Sequence, residues 1–143
     1  MKKTVVAENR KAGFDVQVEQ TFEAGLALTG DEIKSIRAKR AQLSGGYVKF
    51  LSGQPVIIGL HLSLAKEPER VRHLLLHKKE VAEIDQLLAT KGKVAVALDL
   101  HLSHGWAKLL VGVGSGRKQR DKRDLLKRRD LDREQDAELK HRR

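Results

Sequence analysis

Phe14, Val16 and Val18 alternate with Asp15, Gln17 and Glu19, the period-2 pattern of a strand with one buried face. The run continues through Phe22, Ala24, Leu26 and Leu28, with Gly25 marking a bend or bulge within it, and Gly30 ends it. Asp31 is placed to cap a short helix with Ile33 and Ile36 inward and Lys34, Arg37 and Arg40 outward. Residues 47–51 and 56–60, joined across Ser52-Gly53-Gln54, make a hairpin, and Ala65 to Arg70 is a loop. Leu74-Leu75-Leu76 suits strand and helix equally. Val81, Ile84, Leu87 and Leu88 then have helical spacing, stopped by Gly92. Val94, Val96, Leu98, Leu100 and Leu102 alternate without a break, and Ser103-His104-Gly105 turns into a last strand from Trp106 to Val113.

Short antiparallel strands with two or three small helices in about 110 residues predict a mainly β fold, a small closed OB-like barrel. Residues 1–113 form this domain. Residues 114–143 differ in kind: 12 basic and 7 acidic side chains surround a handful of apolar ones. Such a segment cannot offset its chain entropy by burial, so a basic tail, disordered in isolation but with latent helicity, is expected.

Charge then changes the picture. Across 143 residues, 29 Lys and Arg face 19 Asp and Glu, a net charge of +10. That excess attracts polyanions through long-range potential and counterion release, nucleic acid being the commonest and an acidic membrane surface the competitor. A membrane-surface helix needs a continuous apolar face with aromatics, which the tail lacks. Nor does any stretch approach the ~20 apolar residues that span a bilayer. The N-terminus is too short in apolar residues for a secretory signal. A cytoplasmic monomer is expected. Within the tail, Arg117, Lys118, Arg120, Lys122 and Arg123 concentrate five cations in seven residues, a pattern suited to phosphate.

Other chemistry finds little support. The chain has no cysteine, which excludes disulfides and thiolate metal sites. The six histidines (His61, His73, His77, His101, His104 and His141) lack nearby acidic ligands at metal-binding spacing and read as surface or RNA-facing. Gly112-Val113-Gly114-Ser115-Gly116-Arg117-Lys118 has the look of a phosphate loop. Arg117, however, separates Gly116 from Lys118, Gln119 follows, and no βαβ unit surrounds it; the segment reads as a hinge between barrel and tail. Glu23 and Asp99 are single carboxylates with no nucleophile and base beside them, so neither catalysis nor a cofactor is expected. With Phe14, Phe22 and Trp106 assigned to the core, a stacking platform for single strands is not expected. Folded RNA, read by shape, phosphate and 2′-OH, fits better.

The segments Asn9-Arg10-Lys11-Ala12, Phe22 to Gly30 and Glu32 to Ala38 resemble the opening of the small protein B (SsrA-binding protein) family. Arg72-His73-Leu74-Leu75-Leu76, Gly112-Val113 and Gly116 to Arg123 resemble later motifs of that family, in the same order. The resemblance implies an OB-type barrel that binds the tRNA-like domain of transfer-messenger RNA and delivers it to stalled bacterial ribosomes for trans-translation. It implies RNA-binding roles for Asn9, Glu23, Leu75 and Lys108, to which the outward cations Lys34 and Arg37 are added here. It also implies that the tail, through Asp121, Lys122 and Arg123 with Arg117, Lys118 and Arg120, acts in the small-subunit decoding centre and becomes helical in the vacant mRNA channel. Arg120 stands where family members often carry His or an aromatic, and Arg can also stack. The rival reading is a general binder of structured RNA.

Overall fold

The computed structural model describes residues 3–116; Arg117, Lys118, Arg120, Asp121, Lys122, Arg123 and the rest of the tail expectation lie outside the described residues. In chain order the elements are β1 (Thr4–Glu8), α1 (Arg10–Asp15), β2 (Val16–Leu26), α2 (Gly30–Arg37), β3 (Ala41–Gln42), β4 (Tyr47–Leu51), β5 (Gln54–Ile58), β6 (His61–Leu62), β7 (Arg72–Leu75), α3 (Lys78–Ala89), β8 (Lys93–Ser103) and β9 (Trp106–Gly116). The fold is mainly β with three helices among the described residues. Strands pair antiparallel in the order β8-β4-β5-β7-β2-β9, and β9 pairs in turn with β8. β1 adds to β8, while β3 and β6 form a separate small pair. The enclosed core is aliphatic: Ala24, Leu26, Val48, Ile57, Leu74, Ala97, Leu100, Leu109 and Val111 from the sheet, Ile36 from α2 and Ile84 from α3, with Phe22 the aromatic member.

Two hairpins form where the sequence places them, each on a two-residue turn. Ser52 and Gly53 have φ of 50° and 79°, and His104 and Gly105 have 52° and 81°, the paired positive values whose twist matches the flanking strands. Of the ambiguous leucines, Leu74 and Leu75 resolve as strand and Leu76 lies just past its end. The reason is that β7 is gripped from both sides: Leu75 and Leu74 pair with Gly25 and Leu26, and His73 and Arg72 with Val56 and Ile57.

Several expectations are corrected. Phe14 is not the start of a strand but lies in α1, because the Asn9 Oδ1 accepts the Ala12 N–H at 3.3 Å and caps that helix; strand pairing starts at Val16. α2 begins at Gly30, with Thr29 rather than Asp31 at its cap, and the Glu32 Oε1 accepts the Thr29 N–H at 2.9 Å. Asp31 instead accepts the Lys66 N–H at 2.8 Å. The register irregularity of β2 lies at Val18–Gln20, not at Gly25. The alternation of β8 does break: a bulge between Ala97 and Asp99 moves the inward face from Ala95 and Ala97 to Leu100. A bulge bends a strand and resets which side chains face inward.

The final strand runs three residues past Val113, so Gly114, Ser115 and Gly116 are strand rather than hinge. Their pairing accounts for the glycines. A Cβ on Gly114 would lie 1.9 Å from the Gln17 carbonyl oxygen, so only glycine allows β2 and β9 to approach this closely.

One buried polar cluster ties α2 to the loop before β7. Glu32 and Arg72 are both fully enclosed and paired, and Arg70 donates to the Glu32 Oε1 at 2.6 Å. Arg72 also donates to the carbonyls of Leu60 (2.6 Å), Pro68 (3.0 Å) and Glu67 (3.2 Å). Burial would raise the Glu32 pKa, but Arg70, the Thr29 N–H and Arg72 overcome it and hold the carboxyl at about 2.

Candidate nucleic-acid interface

The outer faces of β7, β2, β9 and β8 meet in one lateral row. In register, Leu75 lies beside Gly25, Gly25 beside Lys108, and Lys108 beside His101. Inward Ala24 and Leu26 leave Glu23 and Gly25 on the opposite face of β2, as the strand period requires. A Cβ at Gly25 would come within 3.3 Å of the Leu75 Cβ; glycine leaves Leu75 uncrowded and the floor of the row low.

Three of the six barrel residues expected to bind RNA come together here. Leu75, Lys108 and Arg37 line a groove of about 750 Å³ that also includes Gly25, Leu28, Ile33, His104 and Trp106. Its wall contains two permanent cations and no carboxylate. Leu75 is 58% exposed, an apolar side chain offered to solvent rather than to the core. Lys34, one turn before Arg37 on α2, is exposed but does not line the groove.

Glu23 lies on the same sheet face, two residues from Gly25. Its Oε2 reaches across β9 to within 3.4 Å of the His101 Nε2, while much of the side chain stays open to solvent. His101 is fully buried, which corrects its reading as a surface histidine. Its Nδ1 donates to the Asp99 Oδ1 at 2.6 Å, since a carboxylate can only accept, and Asp99 also receives Lys3 at 3.3 Å. Among the described residues, Nε2 has no hydrogen-bond partner.

Asn9 is placed differently from its expectation. Its side chain is buried, and Nδ2 donates to the carbonyls of Ala97 at 2.9 Å and Gly46 at 3.4 Å. With Oδ1 capping α1, the amide is committed to backbone. The geometry makes it an organiser of α1 against β8.

Trp106 is also corrected. It is 72% exposed at the β8–β9 turn and lines the groove. Counting back from inward Leu109, Val111 and Val113 puts Trp106 on the side of Lys108, a parity already present in the sequence. Among the described residues, no three His, Asp or Glu side chains gather as metal ligands would, and no helix is long and apolar enough to cross a membrane.

Comparison with known proteins follows this geometry. The chain is 47% identical over 137 residues to the SsrA-binding protein of Lactobacillus gasseri, with 91% of each chain covered. It is 43% identical over 145 residues to that of Lactiplantibacillus plantarum, covering 96% of this chain and 93% of the relative. A solved chain described as "tmRNA-SmpB: a journey to the center of the bacterial ribosome" superposes with a TM-score of 0.65 at 32% identity, covering 83% of this chain and 92% of that one. The family model described as SmpB protein matches residues 6–141. The chain belongs to the SmpB protein family.

Proposed function

We propose that this chain binds the tRNA-like domain of transfer-messenger RNA and delivers it to stalled ribosomes for trans-translation, as an RNA-binding protein rather than an enzyme. The observation that carries this reading is the convergence of Leu75, Lys108 and Arg37 on one carboxylate-free groove, in a chain that the SmpB family model matches over nearly its whole length. The ring of strand pairings supports an OB-like closed barrel as the RNA-holding domain. Its outer face offers cations for phosphate and an apolar floor for bases or riboses, the mixture that folded RNA requires. Glu23 adds an acceptor for a ribose hydroxyl or a base N–H at the edge of the groove.

In the same reading, the cations Arg117, Lys118, Arg120, Lys122 and Arg123, with Asp121, serve a second RNA surface, the decoding centre and vacant mRNA channel of the small subunit. A channel still filled by mRNA leaves no room for them, which selects stalled ribosomes. The place of action is then the cytoplasm, with the free protein a monomer. An equilibrium titration against the tRNA-like domain, with bulk transfer RNA in excess, tests the first half. Binding that resists competitor supports the proposal; binding lost to competitor leaves a general structured-RNA binder. Replacing Asp121, Lys122 and Arg123 together by Ala tests the second half: solution binding is retained while peptide tagging on stalled ribosomes is lost.

A further inference from the structure

Trp106 is the only tryptophan in the chain and, among the described residues, the most exposed of the large apolar side chains. It is the first residue of β9 and follows a tight turn whose two central residues both have positive φ. The next most exposed large apolar residue, Leu75, lines the same groove, and Arg37 and Lys108 flank them. An exposed indole and leucine sharing one groove with two cations form a surface that calls for a partner.

The charge selects that partner. A second copy of this chain meeting the groove about a two-fold axis would bring Arg37 and Lys108 against their own counterparts. An apolar peptide would leave both cations unpaired. A nucleotide satisfies all of the groups: its base has a π-face for the indole and its phosphate neutralises the cations. Resting on the reading of this face as the RNA-binding surface, we infer that one unstacked base of the bound RNA enters the groove and stacks on Trp106, its flanking phosphates against Arg37 and Lys108. Recognition is then not by shape and backbone alone. The protein selects RNA that can extrude a base at this point, which bulk duplex cannot do without losing its own stacking.

The single tryptophan makes the test direct. The full-length protein is titrated with the tRNA-like domain while indole emission and, separately, filter retention are recorded. Stacking quenches the emission along the same isotherm as retention and protects the indole from acrylamide. Trp106→Ala weakens retention roughly tenfold or more, and Trp106→Phe recovers most of that loss. RNAs carrying one abasic residue at each unpaired position in turn identify the partner: one of them binds without quenching. Tight retention with unchanged emission at every RNA would overturn the stacking while leaving RNA binding intact. Absence of retention by the unaltered protein would overturn the functional reading as well. A change in emission with protein concentration alone would assign the groove to a second copy and overturn the inference.

Discussion

The two ends of α2 put charge to opposite uses. At its first turn, Glu32 is enclosed with Arg72 and Arg70, and the Arg72 guanidinium also satisfies three backbone carbonyls. At its last turn, Arg37 faces an open groove with Lys108 and no carboxylate in the wall. The first cluster is complete within the chain, and for the enclosed Glu32 and Arg72 burial makes the partner indispensable. The second has cations and apolar groups but no carboxylate among the described residues that line it. Charge paired internally holds the loop and helix in place, whereas charge left unpaired around an apolar surface is available to another molecule.

Substitutions should separate the two uses. Glu32→Gln strands a buried guanidinium, and a loss of about 3 kcal/mol is expected in urea denaturation above pH 4.5, with little change in RNA affinity of the folded protein. That gap is pH-dependent. The Glu32 pKa falls from 4.5 to about 2 on folding, so its contribution is fully present above 4.5 and is lost as pH drops toward about 2. Wild type and Glu32→Gln therefore converge in stability at the acid end; a constant gap would show that the carboxylate's charge is not what the cluster uses.

Asn9→Ala removes the α1 cap and the bonds to the Ala97 and Gly46 carbonyls, for an expected loss of about 2 kcal/mol. Its RNA affinity, measured below the unfolding transition, stays near that of wild type. A drop in affinity without a drop in stability would return Asn9 to the binding surface. The smallest effect is at the groove. Lys108→Ala leaves stability unchanged, weakens RNA binding by about 1 kcal/mol, some fivefold, and lowers the salt slope of binding by about one.

Much of the strand plan was legible because strands with one buried face reveal themselves locally. Leu109, Val111 and Val113 alternate with the residues between them, and Ser52-Gly53 and His104-Gly105 mark their turns without reference to the rest of the chain. Of the candidate site residues, Leu75, Lys108 and Arg37 lie on one groove, although they stand far apart in the sequence. Trp106 escaped because aromatic residues are ordinarily core, and that prior outweighed a parity that pointed outward. The Glu32 cluster escaped because its arginines lie some 40 positions from Glu32 in the chain. Nothing local distinguishes a buried arginine from an exposed one.

By itself the sequence determined the β character, the hairpins, the aliphatic core, the basic surplus and, through its motifs, the kinship with SmpB, since each of these is carried by neighbouring residues or by composition. Only the tertiary structure decided that Asn9 is spent on backbone, that β8 changes face at a bulge, that Gly114 is a close strand approach and that His101 is buried beside Glu23. Each of those depends on which strand lies next to which, so each is a property of packing between distant segments rather than of any one of them.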